Sequence, residues 1–240
     1  MSSLTLVRHG QASFFAEDYD RLSALGEKQA ALLGEHWAKR GPAFDEVYYG
    51  PRARQRQTAE IVGERYRQAG RPWPEPVLLP ELDEYDLAGL VEHLIPDLLG
   101  RDPGFGDLVE SYQRCTGEGE EKFRTFLRMF EALLRHWQTA PHAIEGVESW
   151  AAFRDRVRRG LDRIRSRPGN GRRVAAFTSG GFIGTAVHLA TGAPDDVALE
   201  VNWRVRNCSL TDFIFTRGRL TLDTFNSVPH LEDAEVWTYR

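Results

Sequence analysis

Three short stretches of this chain carry side chains able to do chemistry. Arg8-His9-Gly10 follows the apolar run Leu4–Val7, Thr178-Ser179-Gly180-Gly181 closes the run that begins at Arg172, and YGPRARQRQTA places Arg54 at the start of a helix-like stretch. A guanidinium pairs with phosphate oxygens two at a time, so Arg8 and Arg54 could form a fork around a phosphoryl group. A neutral imidazole at His9 could then attack phosphorus, and Gly10 would let the backbone come close to a ligand. The Ser179 hydroxyl and the amides of Gly180 and its neighbours, at the start of a helix, offer an anion further donors. Taken alone, Arg-His-Gly is also the pattern of a surface turn with one histidine.

The elements that must position these residues are legible in the spacing of apolar positions. Leu4–Val7, Glu46–Tyr49, Val77–Leu79 and Arg172–Thr178 read as strands, and Ser209–Phe215 and Leu220–Phe225, joined through Arg217-Gly218, as a hairpin. Ser23 caps a helix running to about Lys39, Gly41-Pro42 stops it, and Arg52–Arg67, Glu148–Arg167 and Gly181–Ala190 follow as helices. Between them, Leu87–Leu98 and Phe123–Trp137 keep helical spacing on either side of a glycine-bearing break at Gly104 and Gly106. Alternating strands and helices predict an α/β three-layer sandwich: a mainly parallel central sheet flanked by helices. A single domain over 1–240, with a helical cap insertion at about 87–146 over the site, is the expected organisation. Open sheets of this kind place their sites at the carboxyl ends of strands, where two of the three stretches lie.

Bulk properties narrow the function classes. The chain has 240 residues, 41% of them apolar and 28% charged, with a net charge of −4, the profile of an ordinary globular protein. An acidic balance argues against a general polyanion binder, and no apolar run reaches the length of a membrane span. MSSLTLVRHG does not read as a signal peptide. Cys115 and Cys208 have no metal-type spacing, so a reducing cytoplasm is the simplest home. The arginines of Arg154–Arg167 fall around an apolar stripe at Phe153, Val157, Leu161 and Ile164 and read as the solvated face of a helix rather than a nucleic-acid patch. Gly169-Asn170-Gly171 lacks a following Lys and reads as a turn, not a phosphate loop.

Taken in order, the motifs resemble those of the histidine phosphatase superfamily, the phosphoglycerate-mutase-like proteins. LVRHGQAS is similar to the family's signature after the first strand, YDRLSALGEKQA to its following helix, PRARQRQTA to its second-arginine motif, PELDEYD to its acid loop and GVESWAAFRDRV to its Gly-Glu-Ser helix start. The resemblance implies that His9 takes the phosphoryl group as a phosphohistidine, that Arg8 and Arg54 neutralise its oxygens, and that Glu84 protonates the leaving oxygen and then activates water. A substrate dianion would raise the proton affinity of Glu84, giving an acidic to near-neutral optimum. No metal and no organic cofactor is implied.

One position departs from the family pattern: Ser179 stands where the family carries a second, phosphate-holding histidine. Removing one donor to developing charge costs roughly 2.7–4 kcal/mol, which attenuates catalysis without abolishing it. His230, in SVPHLED, could fold back to replace the imidazole or could lie on a surface loop. Ser179 could also be a helix cap, or a serine nucleophile followed by Asp212 or Asp223 and then His230, an order found in α/β-hydrolases. Phe177 stands where that elbow needs its first glycine.

The expectation is therefore a cytoplasmic phosphomonoester hydrolase acting on a small phosphorylated substrate through His9. Nucleic acid and membrane are not expected partners. A homodimer could use part of the aromatic stripe at Phe123, Phe126 and Phe130, which is otherwise core or cap packing. The alternative from another class is a non-catalytic phosphate or phosphopeptide binding module that keeps Arg8 and Arg54. A phosphoglycerate-type mutase ranks behind both, because only shared superfamily motifs are present.

Overall fold

Alternating burial along short β-prone runs builds the centre of the protein. In a computed structural model that describes residues 1–12, 20–116, 119–140 and 146–239, excepting the side chain of residue 120, six strands form one sheet in the order β3-β2-β4-β1-β5-β6. They are β1 (Ser2–Arg8), β2 (Glu46–Tyr49), β3 (Val77–Leu78), β4 (Arg173–Thr178), β5 (Leu210–Phe215) and β6 (Leu220–Ser227). β1, β2, β3 and β4 are mutually parallel, and β5 alone runs the other way, pairing antiparallel with β1 and β6. The parallel register sets Arg8 opposite Thr178. Both chemical stretches therefore leave neighbouring strands at the same carboxyl edge.

The described residues form two compact units, Met1–Glu84 with Arg156–Arg240, and Tyr85–Asp155. In the first, α1 (Ala24–Arg40) and α2 (Ala53–Gln68) cover one face of the sheet, closing a core of Leu33, Trp37, Val62 and Tyr66 over Val7, Val47, Ala175 and Phe177. On the alternate positions Leu4, Leu6, Val174 and Ala176 are fully buried on the opposite face. There α7 (Gly180–Thr191), buried along most of its length, packs with α8 (Asp195–Arg204), and the ring of Phe182 lies against Gly160 of α6 (Trp150–Ser166). The second unit holds α3 (Leu87–Arg101), α4 (Pro103–Arg114), α5 (Glu120–Thr139) and the first residues of α6. It packs around Tyr85, Trp137, Trp150 and Phe153, with the Trp137 indole donating to the Glu148 carbonyl at 2.7 Å.

Local capping explains the element ends. Ser23 accepts from Gly26 N at 3.1 Å, and Gly41 closes α1 in the left-handed region at φ 69°. Two helices differ from the sequence reading. The supposed break at Gly104 and Gly106 is α4, started by an Asp102 cap on Gly104 N at 2.9 Å with Pro103 in the first turn, and held by buried Phe105 and Val109. α8 has no strong apolar period; acidic Asp195 and Asp196 in its first turn and Arg204 in its last suit the helix dipole, and it buries Ala198, Leu199 and Asn202. Among the described residues no helix is long and apolar enough to cross a membrane. Ser13 and Tyr19, at the edges of two of the quoted motifs, and 117–118 and 141–145 of the expected insertion lie outside the described residues.

Candidate active site

His9, the residue after β1, is buried, 5% exposed. Its backbone is pinned on both sides: His9 N donates to the Thr178 carbonyl at 2.9 Å, and its carbonyl accepts from Asn207 Nδ2 at 3.1 Å and Cys208 N at 3.2 Å. On the ring, Nδ1 lies 2.7 Å from the Gly10 carbonyl and Nε2 lies 3.1 Å from Arg54 Nε. A carbonyl can only accept and a guanidinium can only donate. The partners therefore assign the tautomer: Nδ1 carries the proton and Nε2 presents a lone pair. Burial first, then the charges of Arg54 and Arg8, hold the imidazole well below its ordinary protonation range, so the ring is neutral.

The two arginines are braced differently. Arg54, in the first turn of α2, gives Nε to His9, while Nη1 pairs with Asp20 Oδ1 at 2.7 Å. The other Asp20 oxygen accepts from Ala53 N at 2.7 Å, so one carboxylate holds both the guanidinium and the start of its helix. Arg8 donates through Nη1 to the carbonyls of Val205 and Tyr239. Gly10 packs against α1, where a Cβ would lie 2.4 Å from the Gly26 carbonyl. Its amide instead reaches Thr58 Oγ1 at 3.1 Å, and that hydroxyl donates to the Arg54 carbonyl at 2.7 Å, tying the two motifs together.

The acid loop and the start of α7 complete the cluster. Glu84 Oε2 accepts from Gly181 N at 3.0 Å. Its acidic neighbours point elsewhere, Glu81 to Arg163 at 3.1 Å and Asp83 to Arg52 at 2.6 Å. Arg156 donates to three carbonyls of this loop, those of Glu81, Asp83 and Glu84, at 3.3, 2.8 and 3.2 Å. It is thus no member of a solvated arginine face. Gly180 must be glycine, since a Cβ would sit 2.5 Å from Asn202 Oδ1 and 3.6 Å from Arg8 Cζ.

Ser179 is fully buried at the N-cap position of α7, yet its side chain makes no cap bond; its Oγ accepts from Gln55 Nε2 at 2.7 Å. The serine-nucleophile reading fails on this geometry. Asp212 accepts from Thr5 Oγ1 at 2.5 Å, and neither ring nitrogen of His230 has a hydrogen-bond partner. His230 is not on a surface loop either. It is 6% exposed, with its ring centroid 6.1 Å from that of His36 on α1. The fold thus gathers Arg8, His9, Arg54, Glu84, Ser179 and Gly180, and it sets His230 beside another histidine.

Residue-type reasoning missed Asp20, Gln55, Asn207 and Arg156. Asp20 and Gln55 lie inside the stretches quoted for the site, but only the folded chain shows which atoms they hold. Asn207 carries no local signal.

Comparisons with known proteins give the family and the fold. The sequence model of the histidine phosphatase superfamily (branch 1) matches residues 4–103 and 107–228. No curated protein sequence matches the chain. Among solved structures, a mutant phosphoserine phosphatase from Entamoeba histolytica in complex with phosphoserine is 20% identical, with a TM-score of 0.63 over 96% of this chain and 100% of that one. A phosphoglycerate mutase from Bacillus anthracis is 16% identical, TM-score 0.61, over 96% and 95%. A mycobacterial glucosyl-3-phosphoglycerate phosphatase is 22% identical, TM-score 0.60, over 94% and 98%. These likenesses are likenesses of fold.

Proposed function

Since the chain belongs to the histidine phosphatase superfamily (branch 1), we propose that it hydrolyses small phosphomonoesters through a phosphohistidine on His9. The observation that carries this reading is the His9 ring: neutral, with Nδ1–H on the Gly10 carbonyl and the Nε2 lone pair against Arg54 Nε. The Arg54 N–H caps that lone pair. A phosphoryl oxygen that takes over this N–H uncovers Nε2 and draws phosphorus to it, with Arg8 supplying the second cation.

The first step forms the Nε2–P bond and breaks the bond from phosphorus to the ester oxygen. The carboxylic acid of Glu84 passes its proton to that oxygen, releasing the alcohol. In the second step the Glu84 carboxylate takes a proton from water, the water oxygen bonds to phosphorus, and the N–P electron pair returns to Nε2. Inorganic phosphate leaves and Glu84 is again protonated. The amides at the start of α7 favour an anion, and Ser179, buried and held by Gln55, contributes by shaping that start.

The test is hydrolysis of p-nitrophenyl phosphate from pH 4.5 to 8, with trapping of labelled enzyme. Wild type is expected to turn over and to carry an acid-labile, base-stable phosphoryl group, and His9→Ala to do neither. Because burial and the charges of Arg54 and Arg8 depress the His9 pKa, its neutral form persists below pH 6.5, and acidification through that range should not remove the nucleophile. Turnover that survives His9→Ala overturns the mechanism. Phosphate binding without turnover points to the binding module that keeps Arg8 and Arg54.

A further inference from the structure

We infer that Gln55 is the positioning residue that keys the acid loop and the start of α7 to Arg54, and that it makes Ser179, rather than a larger side chain, the fitting residue at its position. The inference rests on the phosphoryl-transfer reading above. Gln55 is fully buried in the first turn of α2, directly after Arg54. Its partners fix which way the amide points. Oε1 accepts from Arg52 N at 3.1 Å, and Nε2 donates to the Leu82 carbonyl at 3.3 Å and to Ser179 Oγ at 2.7 Å. An amide turned over would set its NH2 against an N–H and its oxygen against a carbonyl, so only this orientation is satisfied.

One side chain therefore joins three segments. Arg52 opens the helix that carries Arg54. Leu82 lies two residues before Glu84, and its carbonyl also accepts from Thr178 Oγ1 at 2.7 Å. Ser179 directly precedes Gly180, which abuts Arg8, and Gly181, whose amide holds Glu84. The surroundings are cut to admit the amide: at Gly50 a Cβ would lie 2.1 Å from Gln55 Oε1. Ser179 is fully buried with its hydroxyl in contact with the amide. An imidazole at position 179 in the rotamer that Ser179 adopts would extend toward the Gln55 amide.

This predicts a coupled pair. Four proteins decide it: wild type, Gln55→Ala, Ser179→His, and both changes together. They are compared in kcat and KM on p-nitrophenyl phosphate between pH 4.5 and 8, in affinity for inorganic phosphate by calorimetry, and in thermal unfolding. Gln55→Ala should lower kcat by about 10²-fold, the scale of a misplaced catalytic group, with a smaller change in KM and a shifted acid limb as Glu84 loosens. Ser179→His alone should be at least as damaging. The double variant should recover to within about tenfold of wild type. Losses that multiply in the double variant, or a wild-type kcat and pH profile in Gln55→Ala, overturn the inference. If Gln55→Ala does not fold, Ser179→Ala and Gln55→Met decide: a kcat and pH profile unchanged in both overturns it, and a lowered kcat with a moved acid limb in both supports it. A wild type that binds phosphate but does not turn over ester sinks the phosphatase reading alone, and the same cycle read in phosphate affinity then decides for Gln55. A wild type that does neither overturns both.

Discussion

His9 and His230 are both buried histidines, and burial is the first cause of a lowered pKa in each. The likeness ends there. At the edge of β1, His9 has each ring nitrogen engaged by a partner that fixes its role, with two guanidinium groups alongside. Near the C-terminal end of the chain, His230 has neither nitrogen engaged, and it lies beside the ring of His36, whose charge adds to the downward shift. Desolvation alone yields a neutral imidazole. A nucleophile also needs a chosen tautomer and cations positioned for the charge it will receive.

The contrast can be broken most forcefully at His9. His9→Ala should remove phosphohydrolase activity to below about 10⁻³ of wild type by the loss of the covalent route, while His230→Ala should leave kcat within a few-fold; equal losses would erase the distinction. Arg54→Lys comes next. A lysine keeps the charge but not the planar fork that serves His9 and Asp20 together, so kcat/KM on p-nitrophenyl phosphate should fall by about 10²–10³.

His230 supplies the acid-side test. Its pKa is pushed down to about 3, so between pH 6.5 and that value the unfolded chain binds a proton that the folded chain refuses. Stability must then fall on acidification through this window, by at most about 1.4 kcal/mol per pH unit. Urea unfolding at pH 7 and pH 4.5 should show His230→Gln losing less stability over that interval than wild type; equal losses would place the acid sensitivity elsewhere. The smallest effect is expected at Asp20→Asn, which keeps the shape of the brace and removes its charge from Arg54. About a tenfold loss of kcat/KM, with little change in melting temperature, would mark Asp20 as serving the site rather than the fold.

Regular elements were the most legible feature of the chain. The strand at Glu46–Tyr49 and the Ser23-capped helix were readable because alternation, periodicity and capping act over a few residues. α4 was missed because Gly104 and Gly106 read as breakers, whereas its start depends on the Asp102 cap and its hold on buried Phe105 and Val109. α8 was missed because its apolar residues form no clear stripe. At the site, Arg8, His9 and Arg54 stood out by type and spacing, whereas Glu84 stood out from its acidic neighbours only through the family resemblance of PELDEYD. Their braces Asp20, Asn207 and Arg156 did not, since a polar side chain gives no sign in sequence of the distant carbonyl or amide it will meet.

The sequence by itself determined the six strands, the helices other than α4 and α8, the family and the residue types able to handle a phosphoryl group, because all of these depend on local pattern and side-chain chemistry. Only the tertiary structure decided which nitrogen of His9 presents its lone pair, that Glu84 rather than Asp83 holds the start of α7, and that Gln55 donates to Ser179. It also decided that His230 meets His36. Each of these is a contact between segments far apart in the chain. Such contacts follow from the parallel register of β1 with β4 and from the packing of α1 and α2 over that edge, and no local pattern encodes them.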